Sequence, residues 1–221
     1  MTAFILSHMV ISLENVVPVF LEKEKIERSK IWSNNIKFKQ GEKVQIIAPS
    51  GSGKTSLIHF LYGMRRDYTG NILFDKKNIA GFSAEDLSGI RSKNISIIFQ
   101  DLRLFPEHTV LKNIEIKRVL DPFHPGNRII EMASKLGIEN KLNKLVKTCS
   151  YGEQQRIAII RALQQPFDFL LMDEPFSHLD ENNRKIATVL IEEEAAKRNA
   201  GVILADLKRV EYFNVDEVLY L

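Results

Sequence analysis

Ala48-Pro49-Ser50-Gly51-Ser52-Gly53-Lys54-Thr55-Ser56 is the stretch from which the rest of the chain is read. Before it runs Lys43-Val44-Gln45-Ile46-Ile47, apolar and β-branched like a buried strand, and after it Leu57-Ile58-His59-Phe60-Leu61 continues as a helix. A strand, a glycine-rich loop and a helix in that order turn backbone N–H groups inward and add the partial positive charge of a helix N-terminus, so the loop suits the phosphates of a nucleotide. Ser50, Gly51, Ser52 and Gly53 form the cradle, Lys54 reaches the β- and γ-phosphates, Thr55 offers its hydroxyl to Mg²⁺, and Ser56 follows in the first helical turn. Ala48 stands where the strict pattern has glycine, while Gly51 and Gly53 keep the places where positive φ or close phosphate approach is most demanding.

Further along, Phe167-Asp168-Phe169-Leu170-Leu171-Met172-Asp173-Glu174-Pro175 reads as an apolar strand that delivers adjacent carboxylates at its end. Such a strand beside a phosphate loop is suited to hold a magnesium ion and an attacking water. Asp173 is expected on the metal and Glu174 on the water, since neighbours on a strand point opposite ways. Just upstream, Cys149-Ser150-Tyr151-Gly152-Glu153-Gln154-Gln155-Arg156 opens a helix with a serine, a glycine and an acid. Its amino end is either a second anion site, with Ser150 and the N–H of Gly152 as donors, or simply a capped helix.

Composition narrows the setting. A chain of 221 residues with 44% hydrophobic and 27% charged residues is an ordinary globular protein. The formal charge of +3 is spread along the sequence, which gives no nucleic-acid or anionic-membrane signature. Cys149 is the only cysteine, so neither an internal disulfide nor a cysteine zinc site is expected, and the chain reads as a product of a reducing compartment. No apolar run approaches the roughly 20 residues of a membrane span. Met1-Thr2-Ala3-Phe4-Ile5-Leu6 lacks the basic leader and small-residue cleavage site of a signal peptide, so a cytoplasmic protein is expected, reaching a membrane through a partner.

Short apolar pieces over about Phe4–Leu13, Val16–Leu21 and Ile36–Phe38 predict antiparallel strands at the start. Phe20, in this lobe, is either a ring that stacks on a nucleobase or a core phenylalanine. Asn71–Asp75 and Ile95–Phe99 read as further strands, the latter ending at Gln100. From Asp101 to Lys147 the pattern becomes helical, with pieces at Val110–Leu120, Asn127–Leu136 and Asn140–Val146 broken by Pro106, Pro122, Pro125 and Gly137. Asn182–Arg198 reads as an amphipathic helix with a solvated polar face, Gly201–Ala205 as a core strand followed by Asp206, and Val218–Leu221 as a last strand. No low-complexity segment, internal repeat or interdomain linker is evident.

In this order and spacing the pieces resemble the nucleotide-binding domain of an ATP-binding cassette (ABC) transporter over essentially the whole chain. Ala48–Thr55 resembles the Walker A loop, Gln100 the glutamine loop and Cys149–Gln154 the family signature. Phe169–Asp173 is similar to the Walker B strand, Glu174 to the catalytic glutamate and Ser177–Asp180 to the D-loop. Ile98–Pro106 is similar to the bacterial subgroup of lipoprotein-releasing, macrolide-exporting and cell-division ATPases. The resemblance implies an α/β P-loop NTPase core with an N-terminal antiparallel β-lobe (1–100 and 148–221) and an inserted helical subdomain (101–147). It also implies ATP and Mg²⁺, the metal near Thr55, Gln100 and Asp173, with catalysis through Glu174, Lys54 and Gln100. Two domains, expected as a homodimer, sandwich the nucleotide, Ser150, Gly152 and Glu153 of one subunit closing over the γ-phosphate held by Lys54 of the other. The helical insert, hinged at Gln100, docks on an integral-membrane transporter subunit at the inner face of the cell membrane.

The sequence departs from the family where a histidine usually follows the last core strand, for Asp206 stands there. A carboxylate repels a phosphate, so either Asp206 turns away or hydrolysis is slow. Tyr151 and Cys149 replace a glycine and a leucine of the signature, and His178 is unusual in the D-loop. The competing expectation is an ATP-dependent regulatory or scaffolding module with little catalysis.

Overall fold

The computed structural model describes residues 8–221 and sorts them into two sheets that share one phosphate loop. In chain order the elements are β1 (Val10–Pro18), α1 (Lys23–Arg28), β2 (Asn35–Lys39), β3 (Lys43–Ile47), α2 (Lys54–Leu61), β4 (Tyr68–Phe74) and β5 (Lys77–Asn78). Then come α3 (Ala84–Lys93), β6 (Ile95–Ile98), α4 (Val110–Leu120), α5 (Asn127–Lys135), α6 (Tyr151–Ala162), β7 (Phe169–Asp173), α7 (Glu181–Arg198), β8 (Gly201–Asp206) and β9 (Glu217–Tyr220). An antiparallel sheet has the order β2-β1-β4-β5, and a parallel sheet the order β6-β7-β8-β3-β9.

Period-2 alternation divides the interior into two cores. On β7, Phe169 and Leu171 face the core formed with α2 and the antiparallel sheet, where Trp32, Phe60, Ile11 and Leu13 pack. Leu170 and Met172 face the other, with Ile157 and Ile160 of α6 and Leu190 and Ile191 of α7. That second core continues without a break into the insert through Val110, Ile114, Ile129 and Met132. A parallel sheet covered on both faces leaves its carboxyl edge as the place where loops and functional groups collect.

Several expectations are corrected. The start is one strand, β1, not two: a bulge between Glu14 and Val17, with Asn15 at φ +51°, carries it past the break while Val16 stays buried. The part of that expectation covering Phe4–Ser7 lies outside the described residues. Asn140–Val146 is not a helix; 3-10 turns at Glu139–Lys141 and Val146–Thr148 tie the segment back to the start of α4, where Val110 N–H donates to Lys144 O and Leu111 N–H to Leu142 O, each at 2.9 Å. Helices α1 and α3 went unread; α3 is opened by a capping box of Ser83 and Asp86.

The polar face of α7 is not simply solvated either. Glu194 is fully buried and accepts from His124, from Arg128 at 2.8 Å, from Lys197 at 2.7 Å and from Arg198 at 2.8 Å. Arg198 is stacked between the rings of Phe123 and Phe167, its guanidinium carbon 3.6 and 4.5 Å from their centroids. This cluster fastens the insert to the core.

Candidate nucleotide site

The loop leaves β3 with Ala48 fully buried, its N–H donating to Asp206 O at 3.1 Å, so the position tolerates a methyl group. Ser52 turns back, its N–H and hydroxyl both bonding to Pro49 O, at 3.3 and 2.8 Å. Its carbonyl accepts Trp32 Nε1–H at 3.1 Å, which props the loop from below. Gly53 sits at φ +98°, and a Cβ there would lie 3.0 Å from Trp32 Cζ2, so this position needs glycine on both counts. Lys54 opens α2 and folds back over the loop, Nζ donating to Ala48 O at 3.1 Å and lying 3.2 Å from Glu174 Oε1. Thr55 Oγ1–H donates to Gln100 Oε1 at 3.4 Å. Ser56 is buried and accepts from Arg65 Nη1 at 2.9 Å.

Asp173 ends β7 only 1% exposed, and neither carboxylate oxygen has a hydrogen-bond partner within the protein. Burial pushes its carboxyl up to about 6, and the charge of Glu174 reinforces this. Glu174 has left-handed backbone, φ +46°, held by its N–H to Ala205 O at 2.9 Å, and this turn out of the strand line aims its side chain at Lys54. Orphaned buried carboxylate oxygens beside a hydroxyl and an amide carbonyl form a hard-oxygen donor set that fits Mg²⁺. Among the described residues no group of three or more His, Cys, Asp or Glu could hold a metal, so any cation here relies on such mixed donors.

The turn that follows Gln100 has strained backbone. Leu102 and Arg103 both have positive φ, +57° and +48°, and their carbonyls accept from the Arg161 guanidinium at 2.5 and 2.6 Å. Arg161, buried on α6, has its pKa lowered to about 10 by that burial. Sequence reading missed it, although a lone arginine inside Ile157–Leu163 was its signal.

Ser150 caps α6 in a reciprocal box with Glu153 and remains exposed, while Glu153 also pairs with Lys141 at 3.1 Å. No hydrogen bond among the described residues joins Ser150 or Gly152 to the loop at Lys54. Gly152 is required by its neighbour, for a Cβ would stand 2.9 Å from His178 O. Buried Gln155 locks the same contact, accepting His178 N–H at 2.9 Å and donating to Glu174 O at 3.3 Å. The half-exposed Tyr151 ring meets His178 edge-on at 4.1 Å and lines one cleft with Thr55, His59, Gln100, Asp101 and Asp173.

Phe20 is half-exposed, which rules out the core alternative; Arg65 lies 4.7 Å over its ring and links it to Ser56. Asp206 accepts Leu207 N–H at 2.7 Å through Oδ1, yet lines a cleft with Glu174. Burial raises its carboxyl pKa, two backbone N–H groups oppose that, and the charge of Glu174 adds to it.

With this geometry in hand, the comparisons with known proteins are consistent. The ABC transporter family model matches residues 33–177. The chain is 31% identical over 201 residues to the lipoprotein-releasing system ATP-binding protein LolD of Buchnera aphidicola subsp. Schizaphis graminum, covering 90% of this chain and 87% of that protein. It is 30% identical to the macrolide export ATP-binding/permease protein MacB of Nitrosomonas europaea, over 77% of this chain but 26% of that longer protein. In fold it is similar to a dimeric bacterial ABC transporter cassette (TM-score 0.80, 24% identity, 96% of this chain and 94% of that one). A dimeric cassette bound to ADP and Pi after hydrolysis gives a TM-score of 0.76 at 24% identity, over 90% and 88% of the two chains. The phosphate loop, the acidic strand end and the capped signature helix thus stand in one known arrangement, and the chain belongs to the ABC transporter family.

Proposed function

We propose that this chain binds and hydrolyses ATP as the nucleotide-binding subunit of a transporter, driving a membrane partner by closure of two copies over the nucleotide. The observation that carries the reading is the convergence of Lys54 and Thr55 from the start of α2 with Asp173 and Glu174 from the end of β7 at the carboxyl edge of the parallel sheet, with Lys54 Nζ 3.2 Å from Glu174 Oε1. Lys54 and the loop N–H groups take the phosphates, and Glu174 holds the attacking water and accepts its proton. Asp173, Thr55 and Gln100 are the residues that would hold Mg²⁺, which when bound offsets phosphate charge. Phe20, exposed beside Arg65, is the ring offered to the base.

Exposed Ser150 suits contact with a second subunit's nucleotide, in line with the dimeric assemblies of the similar cassettes. No described helix is long and apolar enough to cross a membrane, so on this reading the chain works at the inner membrane face through an integral-membrane subunit. LolD and MacB are named for lipoprotein release and macrolide export; for this chain the cargo follows from the membrane partner. Steady-state phosphate release tests the activity. Glu174→Gln should abolish it and trap an ATP-bound dimer of doubled mass in light scattering; retained turnover in that variant would reject Glu174 as the base.

A second reading, an ATP-dependent scaffold with little catalysis, is favoured by Asp206, whose carboxylate shares a cleft with Glu174. It requires ATP binding and dimerisation without phosphate release in the presence of the membrane partner.

A further inference from the structure

The cleft beside Glu174 has a charge pattern that the hydrolytic reading leaves unused. It encloses about 330 Å³ and is lined by Glu174, Asp206, Arg184, Lys208 and Arg209, with the carbonyl-rich turn at Phe176 and Ser177. Asp206 is tethered at this cleft. Ala48 N–H holds the Asp206 carbonyl and Leu207 N–H its Oδ1. Fully buried Gln45 clamps the following loop from both sides, donating to Lys208 O at 2.8 Å and accepting Val210 N–H at 3.3 Å. A triphosphate seated on Lys54, which lies 3.2 Å from Glu174, would therefore sit beside a cleft that already carries the carboxylates of Glu174 and Asp206.

Arg184, in the first turns of α7, lines the same space. Its Nη2 reaches only weakly to Phe176 O at 3.5 Å and Leu179 O at 3.4 Å, and its buried Nε has no partner. Among the described residues no carboxylate lies within ion-pair distance of it. Glu181, one turn away, is taken up by Lys185 at 2.9 Å and by Tyr212 at 2.7 Å. A partly buried guanidinium with an idle N–H and no counter-ion is costly unless its charge serves the cleft it faces. Burial raises the Asp206 carboxyl most, the N–H groups of Leu207 and Lys208 oppose it, Glu174 adds to it, and the field of Arg184 is a smaller contribution in favour of the ionised carboxylate.

We propose that Arg184 is a positioning residue for ATP: its guanidinium offsets the Asp206 carboxylate across the cleft, so that the triphosphate can approach Lys54 while that carboxylate is present. Lys208 and Arg209, exposed on the clamped loop, do not substitute for it, because their side chains are free to remain in water. The inference rests on the ATP-hydrolysing reading above and deepens it.

The test uses the full chain and four variants, Arg184→Gln, Arg184→Lys, Asp206→Asn and the Arg184→Gln/Asp206→Asn pair, read by titration with a fluorescent ATP analogue and by phosphate release. Arg184→Gln should raise KM and the analogue Kd about tenfold with kcat changed less than about twofold, and Arg184→Lys should restore both. In the Asp206→Asn background the same substitution should shift KM less than about twofold. An equal rise in both backgrounds, an unchanged KM, or a loss confined to kcat would overturn the assignment. Should Arg184→Gln not fold, Asp206→Asn alone decides: it should tighten analogue binding, and weaker binding refutes the charge balance. Failure of the unmodified chain to bind the analogue would instead remove the ATP reading itself, whereas equal binding by all five proteins would remove only Arg184.

Discussion

Replacing Asp173 by asparagine should stabilise the ligand-free chain while removing its response to magnesium. The carboxyl lies 1% exposed at the end of β7 with both oxygens unpartnered, and burial first, then the charge of Glu174, pushes it up to about 6 from 3.8. Because the folded value lies above the unfolded one, the native state holds this proton more tightly. The resulting stability is present at low pH and is lost as pH rises from about 4 through 6. Roughly two pKa units correspond to about 3 kcal/mol of strain at neutral pH. An asparagine carboxamide, itself short of partners, returns about 1 kcal/mol or more of that. The net gain should be about 1–2 kcal/mol, or about 2–8 °C in Tm for a chain of this size.

Calorimetry in EDTA at about pH 7.5 and again at about pH 5 measures it, since the advantage of the variant should shrink where the wild-type carboxyl is already protonated. With Mg²⁺ and ATP added the order should reverse, because only the wild type gains linked binding energy. A variant that melts below wild type in EDTA, or an advantage that does not change with pH, would show that Asp173 is solvated or paired in solution and refute the reasoning.

Glu194→Gln should cost about 3–5 kcal/mol in urea unfolding, because it strips the counter-ion from Arg198, whose side chain is only 2% exposed, whereas Glu193→Gln on the same helix breaks a half-exposed pair and should cost under about 0.5 kcal/mol. Although burial opposes ionisation, hydrogen bonds from Lys197, Arg198, Arg128 and His124 hold Glu194 well below the usual carboxylate range, so its stabilisation is present above 4.5 and fades as pH falls below that value; acid should unfold wild type more steeply than the variant. Asp206→His should raise the rate of phosphate release, and an unchanged or lower rate would count against a brake at that position. Gly152→Ala pushes a Cβ to 2.9 Å from His178 O and should cost about 1–3 kcal/mol in thermal melts together with slower phosphate release; an equally stable variant would mean the two segments are not locked.

Much of this was legible in the chain because the informative signals are local. A β-branched run, a loop with Gly51 and Gly53 and a helical run fix β3 and α2, and an apolar strand ending in acids fixes β7. Phe20 was left open between base and core, since exposure depends on neighbours that its own sequence window does not contain. The role of Glu194 was hidden for the same reason. Its partners His124 and Arg128 come from the insert, 70 and 66 residues away, and a helix pattern rich in charge does not say which charge turns inward. Arg161, clamping carbonyls 58 and 59 residues upstream, is the second case. Buried charges, whether paired as Glu194 is or bonded to carbonyls as Arg161 is, violate the rule that charge faces water, so periodicity misreads them as surface. Asn140–Val146 failed differently: its apolar residues at Leu142 and Leu145 suit a helix, but hydrogen bonds to α4 fold it into turns.

The resting contact between Lys54 and Glu174 connects these parts. Their side chains are 7% and 12% exposed and 3.2 Å apart, so each would be an expensive buried charge without the other. A triphosphate on the loop offers Lys54 several oxygens of higher charge, and the ammonium cannot serve both at full strength. On the proposed function, nucleotide binding therefore draws Lys54 away and leaves Glu174 as a carboxylate whose backbone, at φ +46°, still aims it into the site. Gln155 bonds the Glu174 carbonyl and receives the His178 N–H, and a side chain on Gly152 would collide with that same loop. The base is thus mechanically joined to the helix that Ser150 caps. Any movement of that helix on closure reaches Glu174 through the hydrogen bond from Gln155, which makes proton acceptance dependent both on a seated phosphate and on the position of the signature segment.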